Sequence, residues 1–245
     1  MNRAAFFDID GTIFRNSLLV EHFKKLVKNN DIDYDYRVKD VKPIYDEYDH
    51  RFGEYDEYLL AVTKIYQNKL VGIDKDYINS LADKVIIENK DVVYRIARNE
   101  LKRLKSDGYY IFFISGSPDF LVDKFGKYYH ADESIGTNYV FDKNGKFTGK
   151  VKPMWDSENK KKSLNYLVKK YDIDLKNSFA FGDTNGDFSM ISSVGNPVAI
   201  NPSFEFLENI SSNDNLRNKI KIYIERKDVL YSFDLINESM KFKKF

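Results

Sequence analysis

Asp8 and Asp10 stand two residues apart, directly after the apolar run Ala4–Phe7, in the segment Asp-Ile-Asp-Gly-Thr. Asp183 and Asp187 follow a second apolar run in Gly-Asp-Thr-Asn-Gly-Asp, and Ser115-Gly116-Ser117 ends a third. If the runs are neighbouring strands, three or four carboxylates converge on one point. Like charges gathered in that way are unfavourable without a cation. Oxygen donors with no His or Cys nearby suit Mg²⁺. A carboxylate-held metal at a strand edge points to phosphate chemistry. That chemistry needs a hydroxyl and backbone N–H donors for the phosphate oxygens, which Ser115 and Gly116 offer. It also needs a fixed cation. In Lys160-Lys161-Lys162, Lys160 lies at i−4 from Leu164 and i−7 from Leu167, so it shares their buried helix face while Lys162 points away.

The elements that must position these groups are legible as short apolar runs. Ala4–Asp8, Ile111–Ser115, Ser178–Phe181 and Pro197–Ile200 are apolar nearly throughout and end in polar or turn residues. Such runs predict strands buried on both faces, as in a parallel sheet. Helical spacing precedes or follows them at Val92–Leu104, Leu164–Tyr171 and Phe188–Val194. The alternation predicts an α/β fold, a doubly wound parallel sheet whose carboxyl edge collects the polar residues. Residues 15–90 break the alternation and predict helices at Leu18–Lys28, Tyr55–Leu70 and Tyr77–Glu88. The expected division is a core of residues 1–14 and 91–245 and a helical cap of residues 15–90 inserted after the first strand. Asn144-Gly145 predicts a hairpin within Asn138–Val151, and Lys219–Glu225 alternates like a strand before a helix-like end.

Composition excludes several classes. The 245 residues carry 39 Lys+Arg against 38 Asp+Glu, which argues against a nucleic-acid footprint spread over the chain. There is no Cys, so neither thiol catalysis nor a Cys-held metal is available. No apolar run approaches the ~18–20 residues of a membrane span. The N-terminus is too short and acidic for a signal peptide, so the expectation is a cytoplasmic protein with no stable membrane insertion. The oligomeric state is not legible. His22, His50 and His130 are isolated and read as packing or surface residues, with His22 the one near enough to the first motif to face the site. Arg51 is the anion-binding candidate of the cap, and Trp155 a candidate wall.

Taken together, DIDGT, the SGS segment, the inward lysine and GDTNGD resemble the four motifs of the haloacid dehalogenase superfamily. The resemblance covers roughly residues 4–14 and 110–202. The helical cap position and the Asn-Gly hairpin are similar to the phosphoserine phosphatase-like branch. It implies a Rossmann-like core and a Mg²⁺-dependent phosphomonoester hydrolase acting through an aspartyl-phosphate on a small phosphorylated metabolite. It implies Asp8 as nucleophile, Asp10 as acid and base, and Ser115 and Lys160 as holders of the phosphoryl oxygens. Gly11 and Thr12 would shape the turn and donate backbone N–H. Asp8, Asp183, Asp187 and the Asp10 backbone carbonyl would hold the metal. An acid after the nucleophile favours an alkoxide over a halide leaving group, because only the alkoxide needs a proton. Phosphotransfer to a hydroxyl acceptor, a phosphoserine or lipid-phosphate substrate, and a non-catalytic phosphate-binding module are the alternatives. Two positions depart from phosphoserine phosphatases. Ser17 stands where those enzymes have an acidic residue for the substrate amine, and Gly186 stands where they usually have Asn.

Overall fold

A computed structural model of the protein describes residues 1–29 and 41–235. The chain opens with β1 (Ala4–Phe7) and then, among the described residues, the helices α1 (Leu18–Lys28), α2 (Lys42–Asp49), α3 (Tyr55–Leu70) and α4 (Lys75–Asn89). Next come α5 (Arg95–Ser106), β2 (Tyr110–Pro118), α6 (Asp119–Tyr128), β3 (Glu133–Phe141) and β4 (Phe147–Lys152). The remainder is α7 (Ser157–Tyr171), β5 (Phe179–Gly182), α8 (Phe188–Ser193), β6 (Asn196–Ile200), α9 (Phe204–Ser211), α10 (Asp214–Arg217), β7 (Lys221–Arg226) and β8 (Val229–Asp234).

The strands form one sheet in the order β4-β3-β2-β1-β5-β6-β7-β8. From β3 to β7 the pairing is parallel, and β4 and β8 close the edges antiparallel. The winding runs outward from β1 on one side and from β5 on the other. The switch between the two halves therefore lies at β1 and β5, where open α/β sheets form a crevice at their carboxyl ends.

Alternation along the strands divides the core. Phe7, Phe113 and Phe181 face one side; Phe6, Phe112 and Ala180 face the other. Phe7 stacks on Phe181 with ring centroids 4.1 Å apart. Truncating a ring of this kind costs about 3–5 kcal/mol, so the strand ends are held by some of the most expensive packing in the molecule. On the Phe6 side the sheet is covered by α7, α8, α9 and α10. On the Phe7 side the covering includes α5, α6 and the inserted helices, whose Phe23, Val62, Tyr66 and Leu81 join the same apolar cluster as Phe113 and Phe125.

Besides this packing, backbone bonds among the described residues tie the insertion to the core at two places. The chain enters and leaves it side by side: Phe14 bridges Val93, the Arg15 amide donates to Val92 (3.0 Å) and the Tyr94 amide to Ile13 (2.9 Å). The loop between α3 and α4 pairs with the β3–β4 hairpin, Gly72 donating to Phe147 (2.9 Å) and Phe147 to Ile73 (3.0 Å). Two sequence expectations change. Among the described residues the insertion holds a further helix, α2; none of its residues is buried, and its apolar face is short, Ile44 and Tyr48 resting half-buried on the core. After β7 the chain turns at Lys227, in the left-handed region (φ 56°), and returns as β8 where a helix-like end was expected; residues 236–245 lie outside the described residues. No helix among the described residues is long and apolar enough to cross a membrane.

Candidate active site

The carboxyl ends of β1, β2 and β5 bring the predicted groups together. Asp8 follows β1 and is 4% exposed. Its amide donates to the Phe181 carbonyl (3.0 Å), which continues the β1–β5 ladder and fixes its direction. Lys160 lies in the first turn of α7, a helix started by Asp156, whose carboxylate accepts from the Asn159 amide (2.8 Å). The ammonium reaches inward and lies 2.5 Å from Asp8 Oδ1 and 2.6 Å from Asp187 Oδ1. Lys162 instead forms an exposed ion pair with Glu158.

Asp187 is fully buried and its other oxygen caps the loop after β5, accepting from the amides of Asp183 (3.0 Å) and Thr184 (3.1 Å). Asp183 accepts from the Thr12 hydroxyl (2.7 Å). Gly11 permits this approach: its φ is +83°, and a Cβ there would lie 2.1 Å from Asp183 Oδ2. The Gly11 and Thr12 amides close the turn onto Phe14 (2.8 Å) and Ile9 (3.3 Å), so they serve the turn, and the Thr12 hydroxyl is the group directed at the cluster.

Asp10 faces another way. Its Oδ1 accepts from the Leu18 amide (2.6 Å), the first of α1. Its Oδ2 accepts from the hydroxyls of Ser117 (2.6 Å) and Ser115 (3.2 Å). The resemblance singles out Ser115, but the two-residue period of a strand puts Ser117 on the same face, and Ser117 makes the shorter bond to Asp10. Ser17, the departure from phosphoserine phosphatases, is the N-cap of α1 and accepts from Val20, which is a structural use of a small hydroxyl.

The electrostatics follow from burial. Asp8 is pushed up to about 8, chiefly because burial removes water from its charge and then by Asp187 and Asp10, against Lys160; Asp183 is pushed well above the ordinary carboxylate range by burial and then by Asp8 and Asp187. Asp10 is raised by burial too, against the hydrogen bonds from Ser117, Leu18 and Ser115. Burial alone would lower Lys160, but Asp187 and Asp8 outweigh it and hold the ammonium above its ordinary value. One lysine against this many carboxylates leaves the cluster short of positive charge. Oxygens of Asp8, Asp183 and Asp187 lie within 4.8 Å of one another. An oxygen-only, charge-deficient donor set fits a hard divalent cation.

Asp8, Asp10, Gly11, Lys160 and Asp183 form the floor of a cleft of about 720 Å³ between the sheet edge and the inserted helices, while Thr12, Ser115 and Asp187 are fully buried and do not line it. Gly116, Ser117, Tyr94 and Trp155 also line it. Burial, then the charge of Asp10, raises the Tyr55 phenol; burial, then Asp183, raises Tyr94. Both side chains line the cleft with the carboxylates. Arg51 sits in the turn after α2, with φ 67°, and does not line the cleft. His22 is fully buried away from it. Its Nε2 lies 3.1 Å from the Ile78 carbonyl, which can only accept, so Nδ1 accepts from the Tyr66 hydroxyl (2.9 Å).

A sequence model of the haloacid dehalogenase-like hydrolases matches residues 5–192. The "Inhibition of morphological differentiation protein" of Streptomyces azureus is 24% identical over 201 residues, 81% of this chain and 72% of that protein. The phosphoserine phosphatase of Methanocaldococcus jannaschii is 30% identical over 139 residues, 54% of this chain and 58% of that one. Among solved structures, a protein of unknown function from Bordetella pertussis Tohama I superposes with TM-score 0.68 at 14% identity, over 86% of this chain and 96% of that one. A substrate-bound phosphoserine phosphatase superposes with TM-score 0.58 at 20% identity, over 85% and 90%. The chain belongs to the haloacid dehalogenase-like hydrolases and has the fold that phosphoserine phosphatase structures share.

Proposed function

We propose that the protein is a Mg²⁺-dependent phosphomonoester hydrolase in which Asp8 is the nucleophile. The observation that carries the reading is the environment of Asp8: a buried carboxylate at a rigid strand end, 2.5 Å from a buried ammonium, opening onto a cleft. A carboxylate oxygen of Asp8 attacks phosphorus, and the ester oxygen departs as the bond to phosphorus breaks. Asp10 protonates that oxygen; its raised carboxyl suits a group that must hold a proton before giving it up. Water then attacks the aspartyl-phosphate while Asp10 takes its proton, releasing phosphate and restoring Asp8. Lys160 holds charge on Asp8 and on the transferring group, and Ser115, fully buried with its hydroxyl on Asp10 Oδ2, would have to turn from Asp10 to reach a phosphoryl oxygen. Asp8, Asp183 and Asp187 would hold the magnesium ion, with the Asp10 carbonyl, and when bound it supplies further positive charge to the phosphoryl oxygens. In this reading residues 15–90 act as a cap domain that limits bulk water at the floor. The similarity to phosphoserine phosphatases supports the phosphoester chemistry and leaves the substrate to the cleft.

Hydrolysis of a generic phosphomonoester with Mg²⁺, with chelator and in Asp8→Asn tests the reading. Activity that needs the metal and disappears in the variant is expected. Equal rates with and without metal, or a fully active variant, would overturn it.

A further inference from the structure

The wall of the cleft is as distinctive as its floor. Tyr45 and Tyr48 from α2, Tyr55 and Tyr58 from α3, Tyr94 and Trp155 all line it. The four tyrosines of α2 and α3 form a continuous patch. Ring centroids are 5.2 Å apart for Tyr45–Tyr58 and for Tyr48–Tyr55, and Tyr48 and Tyr58 are parallel at 5.9 Å. A patch that served only to pack the insertion would bury its rings. Tyr58 is buried, but Tyr45 and Trp155 stay 40% and 49% exposed, and both front a cleft that already contains phosphate-binding chemistry. Stiff aromatic side chains bind with little loss of side-chain entropy, and their faces accept another ring.

Charge narrows the choice. Asp49, Asp56 and Glu205 line the cleft above the floor. Lys24 there is paired with Glu21 (2.8 Å), and Arg15 lies 6.0 Å from the Tyr94 ring centre. A leaving group with its own carboxylate or second phosphate would meet more negative than positive charge. Volume narrows it again. At about 720 Å³ the cleft exceeds what a phosphoryl group on a three-carbon alcohol fills.

We propose that the tyrosine patch is a stacking platform for a planar ring in the leaving group. Resting on the phosphomonoesterase reading above, this makes the substrates phosphomonoesters of ring-bearing alcohols without a further anionic group, nucleoside 5′-monophosphates in type. The chemistry at the floor is unchanged: the phosphorus–oxygen bond breaks, and a neutral nucleoside leaves with the proton from Asp10.

The test compares ribose 5-phosphate with a nucleoside 5′-monophosphate. Both present the same primary phosphoester, so their kcat/KM ratio reports the ring alone. A ratio of at least about tenfold in favour of the nucleotide is expected, typical of stacking on an aromatic side chain. In Tyr48→Leu and Tyr45→Leu the ratio should fall to about threefold or less, carried by a rise in nucleotide KM. Both rates come from one preparation, so the ratio does not depend on the folded fraction. A ratio near one in the unaltered enzyme, or a high ratio that survives both substitutions, overturns the proposal. So does a higher kcat/KM for phosphoserine, an amino-alcohol phosphate or a lysophosphatidate. Those outcomes leave the phosphomonoesterase reading standing. Failure to hydrolyse any of these esters removes that reading, and the proposal with it.

Discussion

The floor and the wall of the cleft are built on opposite plans. At and beneath the floor, Asp8, Lys160 and Asp187 are nearly inaccessible, and each is tied to a strand end or a helix start by short charge-assisted bonds. The wall stands on α2, which buries none of its residues, and on α3, whose first residue Tyr55 is 36% exposed. Groups that must meet reacting atoms within a fraction of an ångström are placed where the backbone is over-determined by packing. Groups that meet the rest of a ligand sit where a rotamer change or a small helix shift is affordable. The contrast says that disturbing the floor should change rates and stability by large factors, while disturbing the wall should change which ester is preferred.

After the loss of the nucleophile itself, the largest effect is expected at Asp10. Asp10→Asn removes the proton donor; its Oδ1 can still accept from the Leu18 amide, while Nδ2 in place of Oδ2 donates to Ser117 instead of accepting from it. Loss of about 10²–10⁴-fold in kcat is expected for an alkyl phosphate. For an aryl phosphate with a weakly basic leaving oxygen the loss should be much smaller, because that oxygen needs no proton. Steady-state kinetics on the two esters checks this. Equal losses would assign Asp10 to holding α1 in place rather than to proton transfer.

Lys160→Met tests the floor as structure. Removing the ammonium leaves Asp8 and Asp187 buried and facing each other. Breaking a buried pair from one side costs about 3–5 kcal/mol, because a charge is left without a partner. Urea titration in the presence of chelator should show this loss, and added Mg²⁺ should recover part of it by binding only the folded state. A variant as stable as the parent in chelator would mean that the carboxylates are already protonated there.

The two regions were unequally legible in the sequence. Asp8, Asp183 and Asp187 announce themselves by residue type at the ends of apolar runs, and Lys160 by its spacing from Leu164 and Leu167. Buried strands and amphipathic helices write such patterns because water is excluded from one or both faces. The wall writes a weaker one. The apolar face of α2 is only Ile44 and Tyr48, and the tyrosine-rich stretch Tyr45–Tyr58 reads first as the core of a cap. What distinguishes them is exposure inside a cleft, which depends on helices distant in sequence. Ser117 was recoverable from strand periodicity. The need for glycine at position 186 was not, because a Cβ there would lie 2.5 Å from the carbonyl oxygen of Trp155, a residue distant in sequence.

A smaller effect separates the regions by pH. His22 joins α1 to Tyr66 on α3 and to the Ile78 carbonyl on α4, so it helps hold the helix that bears the wall. Burial lowers its pKa to about 4, against the hydrogen bond to Ile78. In the unfolded chain the imidazole binds a proton near pH 6.5. The unfolded state therefore takes up protons first as pH falls, and stability present above about pH 6.5 is lost toward pH 4. Between pH 7 and 5 the loss from this group is about 2 kcal/mol. His22→Gln should be less stable than the parent at pH 7 and should show a pH 7-to-5 drop smaller by about that amount in urea titrations. An unchanged drop would mean that the imidazole protonates in place.

The smallest effect is expected at Gly186, where floor and wall touch. A Cβ on this residue would lie 2.5 Å from the Trp155 carbonyl oxygen, and one on Gly116 would lie 3.0 Å from the Trp155 Cβ. The Trp155 segment is thus seated between two glycines, and it leads into α7, which carries Lys160. Asn, usual at this position in phosphoserine phosphatases, does not fit without moving that segment. Gly186→Asn should cost about 1–3 kcal/mol, the range for overpacking a fitted site. The urea midpoint checks that cost. Because the displaced element is the wall's Trp155, the preference between ring-bearing and small esters should fall more than the rate on the small ester. The reverse pattern, a lower rate with preference intact, would mean that the strain passes through α7 to Lys160 and that the floor yields before the wall.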